Sequence, residues 1–168
     1  MDKDHLLSLI DYNYWANGLI VRTAERLSEA QFTQPTDISP KSVREIMMHI
    51  LFAEWIWRNR MSGHSPDMDE VAAVYQPEKY ATLRELTHAW FDEEMMMRDL
   101  VESLSEEKLG EMCSYKAAST GEPFEQSYLQ ILSHVVNHGT QHRSEVALIL
   151  TMLGHSPGDM DYVIYLRG

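Results

Sequence analysis

Three histidines follow one another at intervals of four residues, at positions 134, 138 and 142, in a segment with helical periodicity. Imidazoles at positions i and i+4 lie on the same side of a helix, and their nitrogens are common ligands of divalent metals. A helix rises about 1.5 Å per residue, so His138 and His142 are separated by about 6 Å along its axis and can share one ion. His134 and His142 are separated by about 12 Å and cannot share an ion. The spacing therefore favours His138 and His142 as a pair of ligands.

The apolar residues around this pair indicate which histidines face inward. At about 100° per residue, His142 falls inside the apolar stripe of the helix and His138 falls on its edge. His134 lies roughly 110° from the centre of the stripe, so we expect it beside the site or at the surface. A third ligand must come from elsewhere, and His49 stands in the apolar run MMHILFAEWIW, which predicts a largely buried helix. A buried imidazole needs a hydrogen-bond partner or a metal.

These histidines have competing interpretations. A single histidine on an apolar face is more often a hydrogen-bonded core residue than a ligand, and pairs at i and i+4 also arise by chance. A di-iron bundle needs a glutamate three residues before the histidine, where this chain has Ile46 and Val135. A zinc peptidase needs His-Glu-x-x-His, and Gly139 occupies the position of that glutamate. The sequence excludes both sites and leaves either a three-histidine metal site or histidines of the core.

Four long helices are predicted to position these residues. Helical periodicity covers four segments: residues 3–27, 40–63, 82 to about 104, and 124–153. In the second segment Ser39 is predicted as the N-cap, Pro40 suits the first turn, and Gly63 ends the helix. Turn formers before the last helix predict a short hairpin or irregular loop, and the final residues predict a short helix that packs back. Four amphipathic helices bury their apolar stripes against one another. We therefore expect one all-α domain over residues 1–168, a four-helix bundle with long crossover connections.

Composition and charge limit the classes of function. The chain has 168 residues, of which 44% are apolar, so it can bury a core without disulfides. The single cysteine, Cys113, is expected to be a small buried apolar side chain. A formal net charge of −12 disfavours nucleic-acid binding, because phosphate groups repel an acidic protein. No secretory layout and no run of about 20 apolar residues is present, so we expect a cytoplasmic protein without a membrane partner.

Other charged residues near these segments could take part in chemistry but also fit ordinary surface positions. Glu93 and Glu94 are consecutive on the third helix and do not face each other, so a solvated face is expected. Arg143 and Glu145 could orient ligands or neutralise charge, and a surface role is at least as consistent with the sequence. The remaining histidines lack partners at ligand spacing and are expected at the surface or in loops: His5, His64, His88 and His155.

Three segments resemble a known family. They are YNYWAN at residues 12–17, the histidine of MMHILFAEWIW, and LSHVVNHGTQHRSEVALILTMLGHSP in the fourth helix. On these segments the chain resembles the DinB family of YfiT-like metal-dependent enzymes. The resemblance covers nearly the whole chain and implies a four-helix bundle, a homodimer and a divalent metal on three histidines, which correspond to His49, His138 and His142. In the family Gly-Gln often follows the arginine; this chain has Ser144 and Glu145 there, and no role transfers to either.

Two classes of function are consistent with a three-histidine site. Three neutral imidazoles leave a coordination position open, which is typical of catalytic metal sites. The first hypothesis is an enzyme in which zinc or nickel activates water or a low-molecular-weight thiol to attack a small-molecule substrate. Such an enzyme would be a hydrolase or a thiol-dependent S-transferase, and the resemblance to the family implies the thiol. The alternative is a non-catalytic bundle that the metal stabilises by binding only the folded state, and a bundle with no metal is a third interpretation.

Overall fold

A computed structural model of the protein describes residues 2–36, 39 and 41–168. In chain order, the helices are α1 (Lys3–Ala24), α2 (Glu29–Thr33), α3 (Val43–Met61), α4 (Met68–Val74), α5 (Leu83–Ser103), α6 (Glu106–Gly110), α7 (Tyr128–Met152) and α8 (Tyr162–Tyr165), with a 3-10 turn at Pro77–Tyr80. Strands β1 (Met112–Lys116) and β2 (Pro123–Ser127) pair antiparallel between α6 and α7. None of these helices has the length and apolar composition that a membrane crossing requires.

The four long helices form the predicted four-helix bundle. Helices α1 and α3 each pack against both α5 and α7. The connection from α3 to α5 contains α4 and the 3-10 turn, and the connection from α5 to α7 contains α6 and the hairpin. The prediction of a hairpin before the last long helix is therefore confirmed. Helix α8 packs back on α1, where the hydroxyl of Tyr162 lies 2.9 Å from Oγ of Ser8.

The start of α3 differs from the predicted start. The side chain of Ser42 accepts a hydrogen bond from the backbone N–H of Glu45, and the Glu45 carboxylate accepts one from the backbone N–H of Ser42. This reciprocal capping box satisfies two backbone donors that a helix start leaves free. The prediction of Ser39 as the N-cap is wrong, because a serine three residues later has a glutamate at the required spacing. Pro40 lies outside the described residues.

Two further helix boundaries differ from the predicted ones, also because of polar capping residues. Helix α7 begins after Ser127, which forms a capping box with Gln130. The predicted start at Phe124 is wrong, because that residue belongs to β2. Helix α1 ends at Ala24 rather than at residue 27, since Ser28 caps the separate helix α2. Polar caps, and not only apolar periodicity, therefore decide where the helices begin and end.

The core consists of two apolar clusters with polar side chains between them. One cluster contains the first halves of α1 and α7 and the last third of α5, and the other contains the first half of α3 with the opposite ends of α1, α5 and α7. The four long helices also contribute buried polar residues, which we call the polar layer; all but Asn13 fall between the two clusters along the chain: Asn13, Asn17, Glu54, Glu93 and Arg143. The predicted buried position of Cys113 is confirmed.

Candidate metal centre

Three histidines from two helices meet in the groove between α3 and α7. His49, His138 and His142 each offer a ligand nitrogen within 4.8 Å of the other two. Nε2 of His138 lies 3.2 Å from Nε2 of His49. The centroids of the three ring pairs are separated by 4.4, 4.5 and 4.9 Å. The structure thus brings together the three side chains that the sequence singled out, and we call them the histidine triad.

The triad lies at the rim of the bundle rather than inside it. All three residues are half-buried, and 14% of the His142 side chain is exposed. The buried side of α7 includes Gly139 and Arg143 instead, so the histidines lie on the flank that faces α3. The sequence placed His142 inside the apolar stripe and His138 on its edge; both rings are half-buried against His49 of α3, while Arg143 is the most deeply buried residue of this turn. A rim position keeps the three nitrogens within reach of a ligand from solvent.

The protonation state of the triad suits a metal ligand set. Burial, followed by the neighbouring His142 and His49 rings, lowers the pKa of His138 to about 4. Burial and His142 also lower the pKa of His49. Both rings are therefore neutral at pH 7 and offer lone pairs, as divalent metals require. The 3.2 Å separation of two Nε2 atoms is close to the roughly 3.3 Å between ligands on a tetrahedral ion with bonds of about 2.0 Å.

Glu145 orients the ring of His142. Nδ1 of His142 lies 3.0 Å from Oε2 of Glu145, three residues further along α7. An imidazole whose Nδ1–H donates to a carboxylate presents its Nε2 lone pair to the site, and metal-binding histidines commonly have such a partner. The sequence left two roles open for Glu145, orienting a ligand or lying at the surface, and its contact with His142 agrees with the first.

His134 lies beside the triad at the surface, in agreement with the helical projection. His134 is exposed, and its ring centroid is 5.6 Å from that of His138. The other side of the ring packs edge-on against Trp57, at 5.2 Å. The four remaining histidines are not among the described residues that converge on the triad: His5, His64, His88 and His155.

Arg143 belongs to the polar layer, which excludes the surface role that the sequence had left open for it. Only 1% of the residue is exposed, and its Nη1 donates to Oδ1 of Asn13 and Asn17 at 2.5 and 2.9 Å. The guanidinium folds back over Gly139, where an added Cβ would lie 2.6 Å from Nη1. This close approach explains the glycine inside α7, at the position that a zinc peptidase gives to glutamate.

Glu54 completes the polar layer and was missed in the sequence. Its carboxylate accepts hydrogen bonds from Nδ2 of Asn13 and Nε1 of Trp90, both at 3.0 Å. Burial raises the pKa of Glu54 to about 7, although these bonds and the charge of Arg143 favour the ionised form. Together these contacts connect α1, α3, α5 and α7. The signal in the sequence was one acidic residue inside the apolar run FAEWIW.

Glu93 is buried, and the prediction of a solvated position for it is wrong. The residue is 2% exposed, and Nε and Nη2 of Arg58 donate to its two oxygens at 2.5 and 2.9 Å. Glu94 pairs with Arg98 near the surface, four residues further along α5. Consecutive side chains of a helix point about 100° apart, so one member of the doublet can be buried while the other stays near solvent.

Comparisons with known proteins agree with the fold. Protein DinB of Bacillus subtilis (strain 168) is 29% identical in an alignment 173 residues long, which covers 98% of this chain and 95% of that protein. The structure of YfiT from Bacillus subtilis, described as a probable metal-dependent hydrolase with an unusual four-helix bundle topology, has a TM-score of 0.68 at 16% identity and covers 92% of this chain and 89% of its own. A DinB-like protein, YjoA of Bacillus subtilis, has a TM-score of 0.63 at 17% identity, with coverages of 88% and 93%. A sequence model of the DinB family matches residues 1–168, and the chain therefore belongs to the DinB family.

Proposed function

We propose that this protein is a metal-dependent enzyme that acts on a small molecule, with a divalent ion held by His49, His138 and His142. The observation that carries the proposal is the convergence of three half-buried imidazoles from two helices. Three protein ligands within reach of solvent are typical of catalytic metal sites, whereas structural sites are closed by four ligands. Imidazole suits both zinc and nickel, and we propose one of these as the ion.

The residues of the chain would hold the ion and orient its ligands, and the ion would activate the nucleophile. When bound, the metal would act as a Lewis acid that lowers the pKa of water or of a small thiol. Glu145 would keep Nε2 of His142 directed at the site. The polar layer would hold α3 and α7 in a fixed relation, because Glu54 and Arg143 both bond to Asn13.

Two reactions are consistent with this proposal, and they differ in the nucleophile. With water as the nucleophile, the enzyme is a hydrolase, which is how the structural relative YfiT is described. With a low-molecular-weight thiol, it is an S-transferase that joins the thiol to a small electrophile. Membership of the DinB family also supports a homodimer, which light scattering on the purified protein would test.

Metal content of matched histidine variants tests the ligand set. We expect the protein, purified without a polyhistidine tag, to bind one ion per chain, and His142→Ala to lose it. His134→Ala is the control, because it removes an adjacent histidine of the same helix outside the triad. Stoichiometric metal in His142→Ala would overturn the assignment.

Turnover tests the enzymatic part of the proposal. The metal-loaded protein would be assayed with model esters and amides, and with glutathione, bacillithiol or mycothiol plus a model electrophile. We expect metal-dependent turnover that His142→Ala abolishes and His134→Ala retains. A protein that binds its metal through the triad and turns over none of these substrates would support a non-catalytic, metal-stabilised bundle instead.

A further inference from the structure

A row of planar side chains leads from the histidine triad to the hairpin, and we call it the ring track. Successive ring centroids are 5.6 Å apart for His138 and His134, 5.2 Å for His134 and Trp57, 5.2 Å for Trp57 and Tyr115, and 6.0 Å for Tyr115 and Phe124. The track begins on α7, crosses to α3 and continues onto both strands. These rings are mostly edge-on or tilted to one another, so the track presents alternating ring faces and edges, either of which an aromatic ligand can pack against.

The guanidinium of Arg60 lies against the track beside Trp57 and Tyr115. Its Cζ is 4.6 Å from the ring centroids of both Trp57 and Tyr115. These two rings hold the guanidinium group by cation–π contact, which uses none of its N–H donors. The backbone at this point is tied to β1, since Sγ of Cys113 donates to the carbonyl of Arg60. Arg60 is therefore a cation held in a defined position by Trp57, Tyr115 and Cys113.

Arg60 has no acidic partner among the described residues, in contrast to Arg58 and Arg98. Among the described residues, no carboxylate lies within 4.0 Å of its guanidinium nitrogens, and its Nε is shielded from solvent without a hydrogen-bond partner. By contrast, Arg58 and Arg98 bind Glu93 and Asp11. The chain carries 26 acidic and 14 basic side chains. The lack of an acidic partner for Arg60 is therefore not due to a shortage of carboxylates. Because Nε is enclosed by the protein, an anion would have to reach the guanidinium through its Nη atoms.

We propose that Arg60 is the anion-binding end of the substrate site whose reactive end is the histidine triad. The ligand is a small organic anion: its carboxylate or phosphate pairs with the guanidinium, and its planar apolar part lies along the ring track. This inference rests on the proposed function and adds the class of substrate. The planar fork of arginine matches both anions with two parallel hydrogen bonds. Binding energy from this remote contact would position the reactive group of the substrate at the metal.

Ligand binding to the metal-free protein tests the subsite separately from the metal chemistry. The probes are 1-naphthylacetate, 1-naphthyl phosphate and the neutral 1-naphthylacetamide, titrated calorimetrically and followed through the arginine Nε–Hε signals in NMR spectra. We expect the anions to bind about tenfold or more tightly than the amide, and to shift the Arg60 signal. The ratio of the two anions identifies carboxylate or phosphate as the preferred group. Equal binding of the amide and both anions would overturn the proposal.

Matched arginine variants locate the anion. Arg60→Gln should weaken binding of the preferred anion by about tenfold or more. Arg84→Gln makes the same charge change at an exposed position of α5 and should alter binding by less than about twofold. Arg60→Lys keeps the positive charge but lacks the planar guanidinium, and we expect it to bind the anion severalfold more weakly. This variant also tests the proposal if Arg60→Gln does not fold. Wild-type affinity in either Arg60 variant would show that Arg60 only braces Trp57 and Tyr115.

The two proposals fail in different ways. Anion binding at Arg60 in a protein that takes up no metal would retain the subsite and overturn the proposed function. Metal-dependent turnover that does not favour anionic substrates, and that Arg60→Gln leaves unchanged, would retain the proposed function and overturn the subsite. The metal content of Arg60→Gln should equal that of the wild type, because Arg60 is outside the triad.

Discussion

Arg143 and His142 are neighbours on α7 but lie in different environments. Arg143 is 1% exposed, and its guanidinium bonds to two asparagines of α1. His142 lies at the rim, bonds to Glu145 through Nδ1, and has its other nitrogen near two further imidazoles. In the polar layer, donors meet acceptors and each group is satisfied by the protein. In the triad, imidazole nitrogens converge on one another, an arrangement that a bound cation satisfies best.

The same difference predicts unequal roles in stability. A buried charge loses its hydration and must recover that free energy from partners inside the protein. The polar layer therefore contributes to folding only as a complete set, and removal of one member leaves the others unsatisfied. The half-buried triad keeps part of its hydration and has few internal bonds to lose. The polar layer should be essential to the scaffold, and the triad should be replaceable without unfolding.

The largest expected effect is that of Arg143→Met. Methionine fills similar space but leaves the Oδ1 atoms of Asn13 and Asn17 without their donor and removes the cation near Glu54. We expect the free energy of unfolding to fall by about 3–5 kcal/mol, as when one partner of a buried polar set is removed. Urea unfolding followed by circular dichroism measures the change.

Arg98→Met is the matched control for this substitution. Arg98 pairs with Asp11 and Glu94, but its side chain is 29% exposed. Solvent screens such pairs, so the expected loss is about 1 kcal/mol or less. If Arg143→Met cost no more than Arg98→Met, the polar layer would not be the stabilising element that its burial implies.

The next effect is a pH dependence that Glu54 introduces. Its pKa of about 7 in the folded protein lies above the unfolded value of about 4.3, so the folded state holds the proton more tightly. The contribution of Glu54 is therefore most favourable at low pH and falls by up to about 3 kcal/mol as pH rises to about 7. Glu54→Gln should remove this slope from the metal-free protein, as measured by urea unfolding between pH 5 and 8.

The triad gives the opposite pH dependence in the metal-free protein. The pKa of His138 is lowered to about 4, so stability falls as acid protonates the unfolded state below about pH 6.5. The slope of the whole protein is the sum of both regions, and the difference between wild type and Glu54→Gln isolates the carboxyl. Glu102→Gln, at an exposed position of α5, is the control and should show the wild-type slope. Parallel slopes for wild type and Glu54→Gln would contradict the assigned pKa.

The triad and the polar layer also differ in how far the sequence predicted them. The spacing of His138 and His142 is a local property of one helix, and the apolar run around His49 is visible in a short segment. The four-helix fold followed from equally local periodicity. The helix starts were harder, because Ser39 and Ser42 are both good caps and only Glu45 distinguishes them.

The buried charges could not be predicted in the same way. Patterns of hydropathy assign charged residues to the surface, because an isolated buried charge is unfavourable. Arg143 is compensated by Asn17 and Asn13, which precede it by 126 and 130 residues. Glu93 likewise depends on Arg58 of another helix. Their burial is a property of tertiary packing, and the sequence shows only that polar residues interrupt apolar stripes.

Metal binding should stabilise the wild type more than a triad variant. An ion that binds only the folded state adds about 2.7 kcal/mol when its free concentration is a hundredfold above Kd. In the presence of a chelator, His49→Ala should unfold within about 1 kcal/mol of the wild type, because His49 is half-buried and alanine favours a helix. Added zinc or nickel should raise the melting temperature of the wild type alone. A similar rise in His49→Ala would place the ion elsewhere.

The smallest expected effect belongs to Glu145→Gln, which acts on the triad through one hydrogen bond. Glutamine can still accept from Nδ1 of His142 but removes the negative charge that makes the ring a stronger ligand. We expect metal affinity to fall by about tenfold, at the lower end of the range for such partners, with the stability of the metal-free protein unchanged. Competition with a chromophoric chelator measures the affinity, and Glu102→Gln controls for net charge. Equal affinities in the two variants would show that Glu145 acts only through long-range charge, and that the ring of His142 is held by packing.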